Sequence, residues 1–142
     1  MVKNFDNFGG IFRLSQLSQI KIISLPIAFI LLIDEHWISI YITENSVEIM
    51  DSSGFLRFAV KRKELRNFLC PLIRYKSFHV SSQLQKDGSK SCGLFAVSFI
   101  YLRTFTDMPL CNFVKLFKND FNHNQKLINQ IYDVIFDCTL RL

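Results

Sequence analysis

The sequence predicts a single α+β domain, and three stretches carry that expectation. Ile27-Ala28-Phe29-Ile30-Leu31-Leu32-Ile33 is a continuous apolar run of strand length, the pattern of a strand covered on both faces. His36 to Thr43 alternates, with His36, Ile38, Ile40 and Ile42 on one face and Trp37, Ser39, Tyr41 and Thr43 on the other. Leu94 to Leu102 is apolar at every position except Ser98. It is too short to cross a bilayer and too uniform for a surface helix, so it reads as a helix buried on all sides.

Composition bounds the rest. With 142 residues the chain is one domain with room for a real core. A hydrophobic content of 49% with 15 Phe argues against disorder. The net charge of +5 permits contact with a polyanion without demanding one. Met1 to Asp6 lacks a signal-peptide pattern, and the run from Ile22 to Ile33, broken by Ser24 and Pro26, is too short for a membrane span. Cys70, Cys92, Cys111 and Cys138 show no CxxC spacing, and the three histidines are scattered. That disfavours both a disulfide framework and a zinc site, and a reducing intracellular compartment is expected.

In chain order, the first 24 residues hold a loop, then Phe8-Gly9-Gly10-Ile11-Phe12, then a polar-apolar stretch from Leu14 to Ile23. After the first two strands, Glu44-Asn45-Ser46 is a turn, and Val47 to Asp51 a further strand ending at Ser52-Ser53-Gly54. The two strands flanking that turn read as an antiparallel hairpin. Phe58 to Ile73 sets Lys61, Arg62, Lys63 and Arg66 beside Leu65, Phe68, Leu69 and Leu72, an amphipathic helix stopped near Cys70-Pro71. Ser77 to Leu84 is another strand, leading to Gln85. Leu110, Phe113, Val114 and Phe117 have helical spacing, as do Leu127, Ile131, Val134, Ile135 and Cys138, and both sets are expected in the core. His79 and His123 are read as structural or exposed.

The hairpin relates His36 to Asp51. With Glu44-Asn45 as a two-residue loop, Ile38 faces Asp51, and Asp51 lies diagonal to His36 on the same face. Moving the loop back to Thr43-Glu44 sets the two directly opposite, and a three-residue loop sends them to opposite faces. Cys92 follows the polar loop Gln85-Lys86-Asp87-Gly88-Ser89-Lys90-Ser91 and opens the apolar helix. Unpaired N–H groups and the macrodipole favour an anion there, and so a reactive thiolate. An ordinary buried core cysteine is the plain alternative.

Cysteine acyl transfer needs a thiolate, an imidazole to hold and return the proton, a group orienting that imidazole, and donors aimed at the oxyanion. His36, Asp51, Gln85 and Cys92 offer one side chain for each task, and nothing in the set calls for a metal or an organic cofactor. These residues resemble the adenovirus-type cysteine protease family (adenain), including its Maverick/Polinton and adintovirus-like relatives. The resemblance rests on His36-Trp37 at the head of a strand and Ile49-Met50-Asp51-Ser52-Ser53-Gly54-Phe55. It continues with Gln85 seven residues before Cys92, and with Ser91-Cys92-Gly93-Leu94-Phe95. Phe8-Gly9-Gly10-Ile11-Phe12 and Asn124-Gln125-Lys126-Leu127 extend it over nearly the whole chain.

The resemblance implies a compact papain-like fold of the adenain type, with a small sheet presenting His36 and Asp51 and the Cys92 helix packed on it. It implies that His36 is the base, Asp51 its orienter, Gln85 an oxyanion donor and Cys92 the nucleophile. The implied activity is endopeptidase cleavage of viral capsid or core precursors beside small residues, often Gly, in the infected nucleus and virion. DNA or a viral peptide is the activator the family suggests, and a monomer is expected. SUMO-type proteases share the order His, Asp, Gln, Cys, but place Gln one residue closer and an Asp directly before Cys, where Ser91 stands here. Deconjugation of a ubiquitin-like modifier is therefore the second expectation. A non-catalytic nucleic-acid-binding protein using Lys61, Arg62, Lys63 and Arg66 is the third, unless those residues are simply a solvated face.

Overall fold

A computed structural model describes residues 7–54, 56–59 and 61–140. Met1 to Asp6, Phe55 and the side chains of Phe58 and Cys138 lie outside the described residues. Among the described residues, β1 (Phe8–Arg13), β2 (Ile27–Ile33), β3 (His36–Ile42), β4 (Ser46–Met50) and β5 (Ser77–Val80) form one sheet whose spatial order follows the sequence. The two inner pairings, β2 with β3 and β3 with β4, are antiparallel, while β1 and β5 run parallel to their neighbours. The fold is α+β with a five-stranded mixed sheet.

Alternation along the strands decides which residues meet which helices. Ile38, Ile40, Ile42, Val47 and Ile49 join Leu65 and Leu69 of α2 (Lys63–Ile73) and Leu17 of a short 3-10 turn (Leu14–Gln19) in one buried cluster. Tyr41 and Met50 join Phe95, Phe99 and Ile100 of α3 (Cys92–Thr106) in another. Phe113 of α4 (Leu110–Val114) and Ile128 of α5 (Phe121–Leu140) close that second cluster from behind. Both faces of β2 are thus covered, which is why its sequence is continuously apolar. Phe29, Phe95, Phe99 and Phe113 are fully buried, and such a ring contributes roughly 1.5–3 kcal/mol of apolar burial.

Two tight turns set the register that the site depends on. Asp34 and Glu35 join β2 to β3 with φ of 47° and 69°, and Ile33 pairs with His36 across them. That left-handed pair matches the right-handed twist of the flanking strands. Glu35 adopts it without being glycine, at a cost of about 1–2 kcal/mol. Glu44-Asn45 is a two-residue loop: the Thr43 N–H donates to the Ser46 carbonyl at 2.9 Å, and pairing runs from Ile42–Val47 to Ser39–Met50.

An ion pair ties the second helical layer to the sheet. Glu48 is buried; its Oε1 accepts from Arg103 Nε at 2.8 Å and its Oε2 from the Leu110 N–H at 2.5 Å. The Arg103 guanidinium also lies 4.6 Å from the centre of the Tyr41 ring. Burial pulls the Arg103 pKa down, but the bond to Glu48 and its charge outweigh that and leave it raised. Burial pushes the Tyr41 hydroxyl up, partly offset by the Arg103 charge.

Several elements differ from the expectation. The Phe8-Gly9-Gly10 stretch is a bulged strand, because Gly9 lies against Phe29 so closely that a Cβ would stand 2.2 Å from its ring. The basic helix begins at Lys63 rather than Phe58, a separate turn α1 occupies Leu56–Ala59, and α2 runs through Pro71 to Ile73. Pro71 lies in the last turn, and Leu72 packs on the same core beyond it, so the helix is held past its missing N–H. β5 ends at Val80, short of the expected Leu84. Helix α3 is not buried on all sides: Val97 is 39% exposed. Val134 is also exposed, since α5 packs through Ile128, Ile131 and Ile135. Among the described residues, no helix is long and apolar enough to cross a membrane.

Candidate active site

Cys92 opens α3 where that helix meets the head of β3. The residue is 5% exposed, and its sulfur accepts a hydrogen bond from the Trp37 backbone N–H at 3.4 Å. The Trp37 indole flanks the same turn, with Cδ1 3.6 Å from where a Gly93 Cβ would stand. Ser91 does not cap α3 with its side chain. Its hydroxyl donates instead to Gln125 Oε1 on α5, and Ser89 Oγ lies 3.3 Å from the same oxygen. Helix α5 therefore holds the loop that delivers Cys92.

His36 is the first residue of β3, directly before the residue that touches the sulfur. Continuing the register past Ser39–Met50 sets Ile38 opposite Asp51, the two-residue-loop case in which Asp51 is diagonal to His36. Asp51 is 1% exposed and sits at the corner where β4 ends. Its backbone N–H donates to Ser81 Oγ at 2.8 Å, and its carboxylate accepts from the Leu56 N–H at 2.5 Å and from Ser53 Oγ at 3.2 Å. The same Ser53 hydroxyl stands 3.4 Å from His36 Nδ1. A turn closed by the Gly54 N–H on the Asp51 carbonyl, with Gly54 at φ 68°, throws Ser53 back toward the histidine.

Gln85 is anchored to the same corner. The Ser52 carbonyl accepts from the N–H groups of Leu84 and Gln85, and Ser52 Oγ donates to Gln85 Oε1 at 2.7 Å. Gln85 Nε2 donates to the Ser89 carbonyl at 3.0 Å. A carbonyl only accepts, so this contact fixes which end of the amide is nitrogen. The amide has a second N–H beyond the one directed at Ser89, so one donor is committed to holding the loop before Cys92.

The four candidates thus gather around one corner: Cys92 and His36 through Trp37, His36 and Asp51 through Ser53, and Asp51 and Gln85 through Ser52. Lys61, Arg62, Lys63 and Arg66 are not among these contacts and lie before and in the first turn of α2, which covers the face of the sheet away from α3. All four are exposed, but Lys61 and Arg62 precede the helix, and Arg62 is ion-paired with Asp34. Cys70 and Cys111 are free and exposed. Among the described residues, no group of three or more His, Cys, Asp or Glu is placed to hold a metal ion.

Sequence reasoning missed Ser52, Ser53 and Gln125 as parts of this arrangement, and the Trp37 N–H as a donor to the sulfur. The two serines carried a signal only as members of a Ser-Ser-Gly turn beside a buried Asp. The sequence matches no known protein family and no curated protein. A solved structure, the central domain of the uncharacterised Lpg1148 protein from Legionella pneumophila, is similar over 92% of this chain and 89% of that one. The two share 12% identity with a TM-score of 0.44, a likeness that carries no argument about function.

Proposed function

We propose that the chain is a cysteine endopeptidase of the adenovirus type, with a papain-like arrangement of helix and sheet. The observation that supports this best is the Cys92 sulfur, at the N-terminus of α3, accepting from the backbone of the residue next to His36. A thiolate gains there from the helix terminus and from a directed N–H. His36 serves as the base that takes the thiol proton and returns it to the leaving amine. Asp51 orients it, and Gln85 supplies a donor near the developing oxyanion. The family resemblance, not the width beside the sulfur, favours a substrate with small residues, Gly among them, at the cut.

On the resemblance stated above, the substrates are viral capsid or core precursors cleaved during particle maturation in the nucleus and virion. DNA contact through Lys61, Lys63 and Arg66 is a further part of this proposal. Deconjugation of a ubiquitin-like modifier is the second reading, since SUMO-type proteases share the order His, Asp, Gln, Cys and a terminal Gly-Gly is itself a small-residue site. The test is a panel of fluorogenic Gly-containing peptides and modifier conjugates, run with the wild-type protein and Cys92→Ala. Turnover of peptides that is lost in Cys92→Ala is the expected result. Turnover confined to conjugates would select the second reading, and no thiol-dependent turnover of either would reject both.

A further inference from the structure

Nothing in the requirements of thiol peptidase chemistry demands a hydroxyl between the base and its carboxylate, yet one is present. Ser53 Oγ lies 3.2 Å from Asp51 Oδ1 and 3.4 Å from His36 Nδ1. A serine hydroxyl has a single proton to give. An ionised carboxylate only accepts, so that proton is directed at Asp51, and the Ser53 oxygen turns its lone pairs to the imidazole. The partner of a lone pair is an N–H, which puts the neutral imidazole proton on Nδ1.

We infer that Ser53 is a positioning residue through which Asp51 acts on His36, in the order Asp51 carboxylate, Ser53 hydroxyl, His36 Nδ1–H. The inference rests on the reading of Cys92 and His36 as nucleophile and base. With Nδ1 protonated, the basic lone pair of the imidazole is on Nε2, the atom that takes the Cys92 proton. In that transfer the S–H bond breaks, the N–H bond forms at Nε2, and the electron pair stays on sulfur. The Nδ1–H then bears a positive ring, and its bond to Ser53 strengthens as the hydroxyl is polarised by Asp51. The carboxylate itself is held by the Leu56 N–H, so its position does not depend on the histidine.

The arrangement has a built-in reason to use Ser. β4 ends before Asp51, and the turn closed at Gly54 lifts residue 53 above the corner while Asp51 stays buried beneath it. A hydroxyl two residues onward in the turn links the short Asp side chain to the half-exposed histidine.

The test is spectroscopic as well as kinetic. Nitrogen-15 NMR of histidine-labelled protein at a pH where His36 is neutral reads its tautomer directly, in wild type, Ser53→Ala and Ser53→Thr. The wild type is expected to carry the proton on Nδ1. Ser53→Ala is expected to mix the tautomers and to lower kcat about 10- to 100-fold with little change in KM, while Ser53→Thr keeps the hydroxyl and restores both. An Nε2–H tautomer in the wild type would overturn the inference. So would a folded Ser53→Ala with unchanged tautomer and kcat, or a folded Ser53→Thr that behaves like a hydroxyl-free variant. If no peptide or conjugate is turned over by the wild type, the peptidase reading fails, and the tautomer measurement still decides the hydrogen-bond order.

Discussion

The Trp37 backbone N–H reaches the Cys92 sulfur across 3.4 Å, joining the head of a strand to the head of a helix far away in sequence. Because the donor is main chain, its position is set by the β2–β3 turn and not by a rotamer. The two left-handed residues Asp34 and Glu35 place His36 opposite Ile33 and so put Trp37 against the sulfur. The geometry at Cys92, the proposed nucleophile, is therefore inherited from strand register, and substitutions that shift that register are expected to move the site as a unit.

His36 and Asp51 are expected to behave as one unit of unequal weight. His36→Ala removes the proton acceptor and should lose nearly all turnover, whereas Asp51→Asn should leave measurable activity. The double variant should be little worse than His36→Ala alone, because members of one unit are strongly non-additive. The measurement is kcat/KM for the two single variants and the double variant; additive losses would argue against a shared site.

On the proposed reading Gln85 carries two tasks, and rate and stability measured on its variants report them separately. Gln85→Ala removes an oxyanion donor, with an expected loss of about 10²–10³ in kcat. It also leaves Ser52 Oγ and the Ser89 carbonyl without the partners they have now, at about 1–3 kcal/mol of stability. Gln85→Glu keeps the acceptor for Ser52 but sets a carboxylate oxygen against the Ser89 carbonyl in a buried position, so it should lose rate and at least as much stability. Peptide affinity measured on a Cys92→Ala background should hardly change in either. A collapse of affinity with normal kcat would assign Gln85 to the substrate pocket.

Glu48→Ala is expected to be the most damaging single change outside the site. It takes from the half-buried Arg103 the buried one of its two carboxylates, Asp107 remaining, and from the Leu110 N–H its acceptor. Losing a buried hydrogen-bond partner costs about 1–3 kcal/mol. Urea unfolding of wild type and variant gives the figure. A loss under about 1 kcal/mol would place this pair among surface bridges of little weight.

The basic residues at the start of α2 make a separate prediction. Lys61, Lys63 and Arg66 are exposed, and duplex DNA should bind without sequence preference and weaken steeply as salt rises. Replacing the three with Gln should reduce the affinity and the salt slope, leaving basal peptide cleavage intact. Binding unaffected by the triple change would remove this surface from the account.

Much of the sheet was legible because its signal is local. The unbroken apolar run of β2 and the alternation of β3 marked the strands, but three registers of the hairpin stayed open, and the structure takes the one with Glu44-Asn45 as a two-residue loop, which sets Asp51 diagonal to His36. What the sequence concealed depends on contacts between distant segments. Phe8-Gly9-Gly10-Ile11-Phe12 has no strand signal of its own, and it pairs with β2 because Phe29 fills the space of the side chain Gly9 lacks. Pro71 looks like a stop until Leu72 is found anchored beyond it. Cys92, His36, Asp51 and Gln85 were legible as chemistry-bearing residues; Ser53 was not, since its role arises only once the turn at Gly54 brings its hydroxyl between Asp51 and His36.

The most direct test of the central claim is the site and rate of covalent capture by a peptide ending in a glycine-derived vinyl ester, mapped by mass spectrometry. Among the described cysteines Cys92 is 5% exposed, while Cys70 and Cys111 are exposed, so accessibility alone favours Cys70 and Cys111. A nucleophile paired with His36 predicts the opposite: adduct at Cys92 first, slowed about 100-fold or more in His36→Ala, with Cys70 and Cys111 unaffected by that change. Capture at Cys70 or Cys111 ahead of Cys92, or a Cys92 rate indifferent to His36, would contradict it.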